Sequence, residues 1–319
     1  MFKIKDLGEV QKILGVQVTR DRANKTITLD QAHYVKDILA TYQMEQDKAK
    51  KMDVPMNGYD SLRTAEPSDV RADQRAYQTL IGKLLYLSIL TRPDISFALG
   101  RLSQYLSDPA EFHMSALKRV LKYLRSTLNH GITFSGKNPN SLVGYSDSDF
   151  ASDRTDRLSI LGNVFMLGNG PVSWMSKKQK SVATSTMDAE YMAMCAASKQ
   201  SQWLALVLRE MGAADLIGQH EFKPTVREKT KFMIGSPVLI RGDNQAALGL
   251  VRDAQISDRS KHIDVAYHYQ RDLMKKDRLK VEFVGTADMV ADGMTKPLAK
   301  AGFSRFLNLL GMQSISLQA

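Results

Sequence analysis

Four acidic residues stand where carboxylates can do chemistry. Asp147 closes a Gly-Tyr-Ser-Asp run, Glu190 lies in Ser-Thr-Met-Asp-Ala-Glu-Tyr, Asp243 follows Leu-Ile-Arg-Gly, and Asp292 lies in Val-Ala-Asp-Gly-Met-Thr-Lys-Pro-Leu. Carboxylate oxygens are hard ligands of the kind that Mg²⁺ takes. Several of them converging on one point repel strongly unless a divalent ion neutralises them. Taken singly, each reads more simply as a helix cap or a solvated charge. Only the set points to a metal.

The elements that must position them follow from periodicity and turn residues. Leu142–Ser146, Gly162–Leu167 and Pro171–Ser176 read as short strands, and Asp147 ends the first of them. Met187 to Met211 reads as a long helix with Glu190 in its first turn, opened by Ser185 and Asp188 in a capping-box arrangement. Val238–Arg241 and Leu279–Val284 are two further strands, Asp243 ending the first. If the strands ending at Asp147 and Asp243 are neighbours, both carboxylates meet at the rim where open α/β sheets hold ligands. Strands first, then alternating helices and strands, make a mixed sheet covered by helices.

The preceding half reads differently. Residues 1–30 give strands around an Arg20–Lys25 turn, and Asp30 caps a helix running to about Tyr42. Residues 43–70 read as a connector with Pro55, Gly58 and Pro67. Tyr77 to Tyr105 gives two helices hinged at Arg92-Pro93, because proline disfavours helix in the residue before it. Phe112 to Leu128 is an amphipathic helix. Gly136 to Asn140 marks the boundary, so residues 1–136 and 141–311 are expected as two units.

Composition narrows the class. The chain has 319 residues, 44 Lys+Arg and 34 Asp+Glu, with the excess of 10 positive charges spread over both halves. Such a surface suits a polyanionic partner. No apolar run is long enough to span a membrane, and the first residues lack the apolar core of a signal peptide. One cysteine, Cys195, permits no internal disulfide and, without a Cys-x-x-Cys pair, argues against structural zinc. An intracellular protein, cytoplasmic or nuclear, is the expectation.

At this point several blocks, in order, carry a resemblance. Gly144-Tyr-Ser-Asp-Ser-Asp-Phe-Ala-Ser-Asp-Arg-Thr-Asp-Arg157, Val172-Ser-Trp-Met-Ser-Lys-Lys-Gln179, Ser185-Thr-Met-Asp-Ala-Glu-Tyr191, Asp243-Asn-Gln245, Ser260-Lys-His-Ile-Asp264 and Ala291-Asp-Gly-Met-Thr-Lys-Pro-Leu298 resemble the ribonuclease H domain of copia-type LTR retrotransposon polyproteins. Lys5-Asp-Leu-Gly-Glu9, Leu14-Gly-Val16, Gly82-Lys-Leu-Leu-Tyr-Leu87 and Thr91-Arg-Pro-Asp-Ile95 resemble the thumb and connection stretch after the polymerase palm. The implied fold is a ribonuclease H-like α/β domain, a mixed five-stranded sheet with helices on both faces, preceded by a smaller α+β thumb/connection region. The family's Tyr-x-Asp-Asp polymerase turn has no counterpart, since the chain contains no Asp-Asp pair. Polymerase activity is therefore not expected, and the chain reads as the C-terminal part of a longer polyprotein.

The resemblance implies that Asp147, Glu190, Asp243 and Asp292 hold two Mg²⁺ ions, with Mn²⁺ able to substitute. Paired ions of this kind activate a water and stabilise the leaving oxygen of a phosphodiester. The implied reaction is cleavage of the RNA strand of an RNA–DNA hybrid, the 2′-hydroxyl marking the RNA. Lys177, Lys178, Asn244, Gln245, Lys261 and His262 are expected to contact the nucleic acid. The implied partners are the hybrid and the other polyprotein parts, polymerase palm and fingers and integrase. Asp149, Asp188 and Asp288 are neighbouring acids that could be mistaken for ligands. The basic residues of 213–236 are either a hybrid-binding loop or an insertion, the insertion being favoured. Cys195, Trp174 and Trp203 are expected in the core. A non-catalytic nucleic-acid-binding remnant is the alternative. An integrase-type transferase is a third reading, disfavoured by the Lys-His-Ile-Asp and Thr-Lys-Pro-Leu blocks.

Overall fold

A computed structural model describes residues 8–45, 51–58, 62–137, 141–152, 156–218, 237–252 and 268–314. The first half builds an antiparallel sheet and a helical layer. Strands β1 (Lys12–Ile13), β2 (Val16–Asp21) and β3 (Thr26–Asp30) form the expected meander, β2 and β3 turning at Arg22 to Lys25. The Asp30 carboxylate accepts from the Ala32 amide at 3.0 Å, at the entry of α1 (Ala32–Thr41). Helix α2 (Gln74–Leu90) is capped by the Asp73 carboxylate, which accepts from Ala76 N at 3.0 Å. Proline ends the run at Arg92 as expected, and α3 (Ser96–Leu102) and α4 (Glu111–Ser126) follow.

The hinge is also a buried charge site. Arg92 and Asp94 pair at 2.7 Å with almost no solvent exposure, and the Tyr123 hydroxyl donates to the same Asp94 carboxylate at 2.5 Å. Arg92 also donates to the carbonyl of Thr127 at 3.0 Å and to its hydroxyl at 2.7 Å. Both charges are therefore hydrogen-bonded on several sides, which is what makes such burial tolerable.

The second half carries β5 (Val143–Asp149), β6 (Ile160–Leu167), β7 (Gly170–Lys178), α5 (Thr186–Glu210), β8 (Val238–Gly242), α6 (Gln245–Arg252), α7 (Tyr269–Lys275) and β9 (Leu279–Phe283). The strands lie in the order β7-β6-β5-β8-β9, antiparallel from β7 to β5 and parallel from β5 to β9. This is the ribonuclease H-like arrangement, with helices on both faces. The Ser185 hydroxyl accepts from Asp188 N at 3.1 Å and opens α5, as its sequence position suggests.

Side-chain alternation along β6 assigns the two faces. Phe165 points to one core with Tyr191 and Met194 of α5, Leu248 of α6 and Leu273 of α7. Ile160, Val164 and Met166 point to the other, a core they share with Tyr77, Leu84, Leu99, Leu117 and Leu121 from the first half. Helices of the first half thus cover one face of the second sheet. The short α8 (Asp292–Thr295) and α9 (Lys300–Leu309) join that same core through Met294, Phe303 and Phe306.

Two strands were not anticipated. β4 (His130–Ser135) pairs with β3, and β10 (Met312–Ser314) pairs with β4, placing the last described residues at the edge of the first sheet. Three residues have no strand signal of their own. Pairing onto the free edge of β4 makes them one.

Candidate metal centre

The carboxylates are delivered by four elements. Asp147 sits within β5 rather than at its end, because β5 continues to pair with β6 as far as Asp149 opposite Ile160. Glu190 projects from the start of α5, Asp243 follows β8, and Asp292 opens α8. Strands β5 and β8 are parallel neighbours, so Asp147 and Asp243 emerge at one rim of the sheet, as the strand reading required. Carboxylate oxygens of Asp147, Glu190 and Asp243 lie within 4.8 Å of one another. Asp292 adjoins them and raises the pKa of Asp147.

Each carboxylate has a fixed partner. Asp147 accepts from the Thr295 hydroxyl. Asp243 accepts from the Thr286 hydroxyl at 3.0 Å, and Glu190 is hydrogen-bonded by the backbone of Ser148. Lys296 pairs with Asp292 at 2.8 Å. Such outer contacts orient ligands and are part of a metal site's construction. Thr286, Thr295 and Lys296 had no role in the sequence reading. The Thr-Lys-Pro-Leu block marked the last two without saying what they touch.

Burial makes this cluster costly when bare. Asp147 and Glu190 are 3% and 5% exposed. Burial first, then Asp292, pushes Asp147 up to about 7. Burial, then Asp147 and Asp243, pushes Glu190 up to about 9. Asp292 is raised by burial, with Lys296 opposing. Burial lowers Lys296, but the carboxylates of Asp147 and Asp292 outweigh it and hold the ammonium charged. Protons and one lysine thus partly neutralise a site whose geometry gathers negative charge. Three hard oxygen donors within a few ångströms fit a divalent ion, which would replace those protons.

The remaining candidates fall outside the cluster. Asp188 is buried, its amide held by Ser185 and its carboxylate by Thr184, and Asp288 is exposed in the turn before α8. Asn244 uses its amide oxygen to accept from Ala247 N at 3.0 Å, capping α6, and Gln245 is exposed beside it. Lys177 is exposed near the end of β7, whereas Lys178 binds Asp156 at 2.7 Å and Gln104 at 3.2 Å. Lys261 and His262 lie outside the described residues, as does most of 213–236. His268 hydrogen-bonds the Tyr191 hydroxyl at 2.8 Å. Cys195 is buried as expected. Trp174 is partly buried, but Trp203 is 56% exposed on α5, correcting its assignment to the core. No helix among the described residues is long and apolar enough to cross a membrane.

Comparison with known proteins bears on the whole chain. It is 35% identical over 314 residues to the retrovirus-related Pol polyprotein from transposon RE1 of Arabidopsis thaliana, covering 98% of this chain and 20% of that protein. The Pol polyprotein from transposon TNT 1-94 of Nicotiana tabacum is 34% identical over 318 residues, covering 98% of this chain and 22% of the relative. The chain belongs to the copia-type retrotransposon Pol polyproteins. It spans about a fifth of the length of these Pol relatives. A crystal structure of RNase H1 from Halobacterium salinarum NRC-1 aligns with 49% of this Pol chain and 95% of its own, at 17% identity and a TM-score of 0.30. No family model matches the chain. The four carboxylates lie in the second half of this copia-type Pol chain.

Proposed function

We propose that this Pol segment is a Mg²⁺-dependent endonuclease that cleaves the RNA strand of RNA–DNA hybrids. The observation that carries the reading is the convergence of Asp147, Glu190 and Asp243 within 4.8 Å, delivered by three separate elements, with Asp147 and Glu190 buried. Asp292, held by Lys296, completes the set. These four carboxylates would hold two Mg²⁺ ions, or Mn²⁺ in their place, which when bound supply an activated water and charge stabilisation at the phosphodiester.

The chain's own residues do the rest. Thr286, Thr295 and the Ser148 backbone keep three carboxylates pointed at one place, so little reorganisation is needed on loading. Lys177, Lys178, Asn244, Gln245, Lys261 and His262 are the proposed contacts to the hybrid, where phosphate binding gives salt-dependent, sequence-independent affinity. The nuclease unit is assigned to 141–311 and the thumb/connection unit to 1–136. The polymerase and integrase parts of the polyprotein are the proposed partners.

The test is cleavage of a labelled hybrid by the purified chain with Mg²⁺, with EDTA, and with Asp243→Asn. Metal-dependent cleavage lost in the variant is expected. A folded protein that binds the hybrid without cutting it overturns the enzyme and leaves a binding remnant.

A further inference from the structure

Strands β5 and β6 pair so that Asp147 stands directly opposite Gly162. A Cβ on Gly162 would lie 2.7 Å from both Met294 Cβ and Thr295 Cγ2, and 3.2 Å from the Ala291 carbonyl oxygen. The two 2.7 Å approaches are overlaps with the side-chain stems of α8, and the Ala291 carbonyl is tight, so a side chain here would push α8 away from the sheet. The bare strand lets α8 seat against β6 at the level of Asp147. Thr295, fully buried, turns its hydroxyl to the Asp147 carboxylate from that seat. The same hydroxyl lies 3.1 Å from the carbonyl oxygen of Asp292. One side chain therefore ties the ligand on the strand to the helix turn that carries another.

We propose that Thr295 is a positioning residue for Asp147, and that Gly162 is the gap in β6 that lets it reach. The inference rests on the metal-dependent reading above and adds the device that sets one ligand's orientation. A buried carboxylate free to rotate presents its oxygens to a cation only part of the time. A donated hydroxyl at one oxygen fixes the rotamer and leaves the other oxygen for the metal.

The test separates hydroxyl from shape. Thr295→Val keeps the volume and removes the donor, whereas Thr295→Ser keeps the donor and removes a methyl. Mn²⁺ binding by the full chain, without nucleic acid, is measured by calorimetry, with circular dichroism and thermal unfolding reporting the fold. Asp147→Asn serves as the reference for specific binding. Folded Thr295→Val should bind Mn²⁺ about tenfold more weakly, and Thr295→Ser within about twofold of the parent, the range for outer-contact losses at metal sites. A purely structural threonine would change the unfolding temperature in both variants and the affinity in neither. Should the valine variant fail to fold, Thr295→Ala is the second donor-free probe. Gly162→Ala should weaken Mn²⁺ in the same direction by displacing α8. Parent-like affinity in folded donor-free variants overturns the proposal alone. Absence of Asp147-dependent binding in the parent overturns the metal reading and this proposal together.

Discussion

Trp174 on β7 donates its indole N–H to the Ser88 carbonyl of α2 at 2.9 Å, tying the second sheet to the first half of the chain. Ser88 lies in the last turn of α2, where carbonyls lack helical partners, so the indole satisfies a group that the helix cannot. The bond sits beside a continuous apolar core in which Ile160, Val164, Val290 and Met294 meet Tyr77, Leu80, Leu84 and Leu87. The first half thus shares an apolar core with the sheet that carries the carboxylate cluster.

Trp174→Phe should keep an aromatic ring at the contact and lose the bond. A cost of about 1 kcal/mol is expected for a typical neutral hydrogen bond. A urea titration of the full chain checks it, and an unchanged midpoint would show that the bond adds nothing to the apolar contact.

The raised carboxylates make stability depend on pH in a definite direction. Asp147 rises from 3.8 to about 7 and Glu190 from 4.5 to about 9 in the folded, metal-free protein. A carboxyl that is easier to keep protonated when folded binds more protons in the native state. Its contribution is full below the unfolded values near pH 4 and is lost as pH rises through about 7 and then about 9. The unfolding temperature in EDTA should therefore fall across that window, and Asp147→Asn should flatten the lower part. Stabilisation by Mg²⁺ should grow over the same window, because the ligands must be deprotonated. A scan at several pH values with EDTA or Mg²⁺ reads both slopes.

Lys296 supplies positive charge inside the cluster, 2.8 Å from Asp292. Lys296→Met should lower metal-free stability at pH 8 by about 1 kcal/mol, the upper end for a partly exposed ion pair. The added Mg²⁺ stabilisation should then exceed the parent's, since the cation has more uncompensated charge to neutralise. Equal Mg²⁺ responses in variant and parent would count against this account.

Asp94→Ala should be far more damaging, though it lies in the first half. It would leave the guanidinium of Arg92 buried beside Tyr123 without its carboxylate. Breaking a buried pair from one side costs about 3–5 kcal/mol. Chemical denaturation of the variant, with Asp94→Asn for comparison, measures that loss.

Local chemistry made much of this legible from the residues. The Arg92-Pro93 hinge, the Asp30 and Asp73 entries to α1 and α2, the Ser185 cap and the alternation of β6 depend on near neighbours, and the strands and helices follow them closely. Asp73 lies outside the apolar run that marks α2, so the run by itself does not point to it. β10 was out of reach because its pairing partner, β4, lies some 180 positions earlier. Trp203 was misassigned because an apolar residue on a long helix is buried only if another element covers its face, and singly exposed apolar side chains are common.

The sequence by itself determined the identities of the four acids, their order along the chain and the strand, helix or strand end that carries Asp147, Glu190 and Asp243, because spacing and turn residues act over a few positions. The short helix opened by Asp292 has no such local signal. Tertiary structure alone decided how near they come, that helices of the first half share a core with the second sheet, and that Thr295 meets Asp147 over 148 positions of chain. The physical reason is that burial and carboxylate repulsion depend on distance in space. Those distances are set by sheet register and by a glycine that leaves room for a helix, which no local pattern encodes.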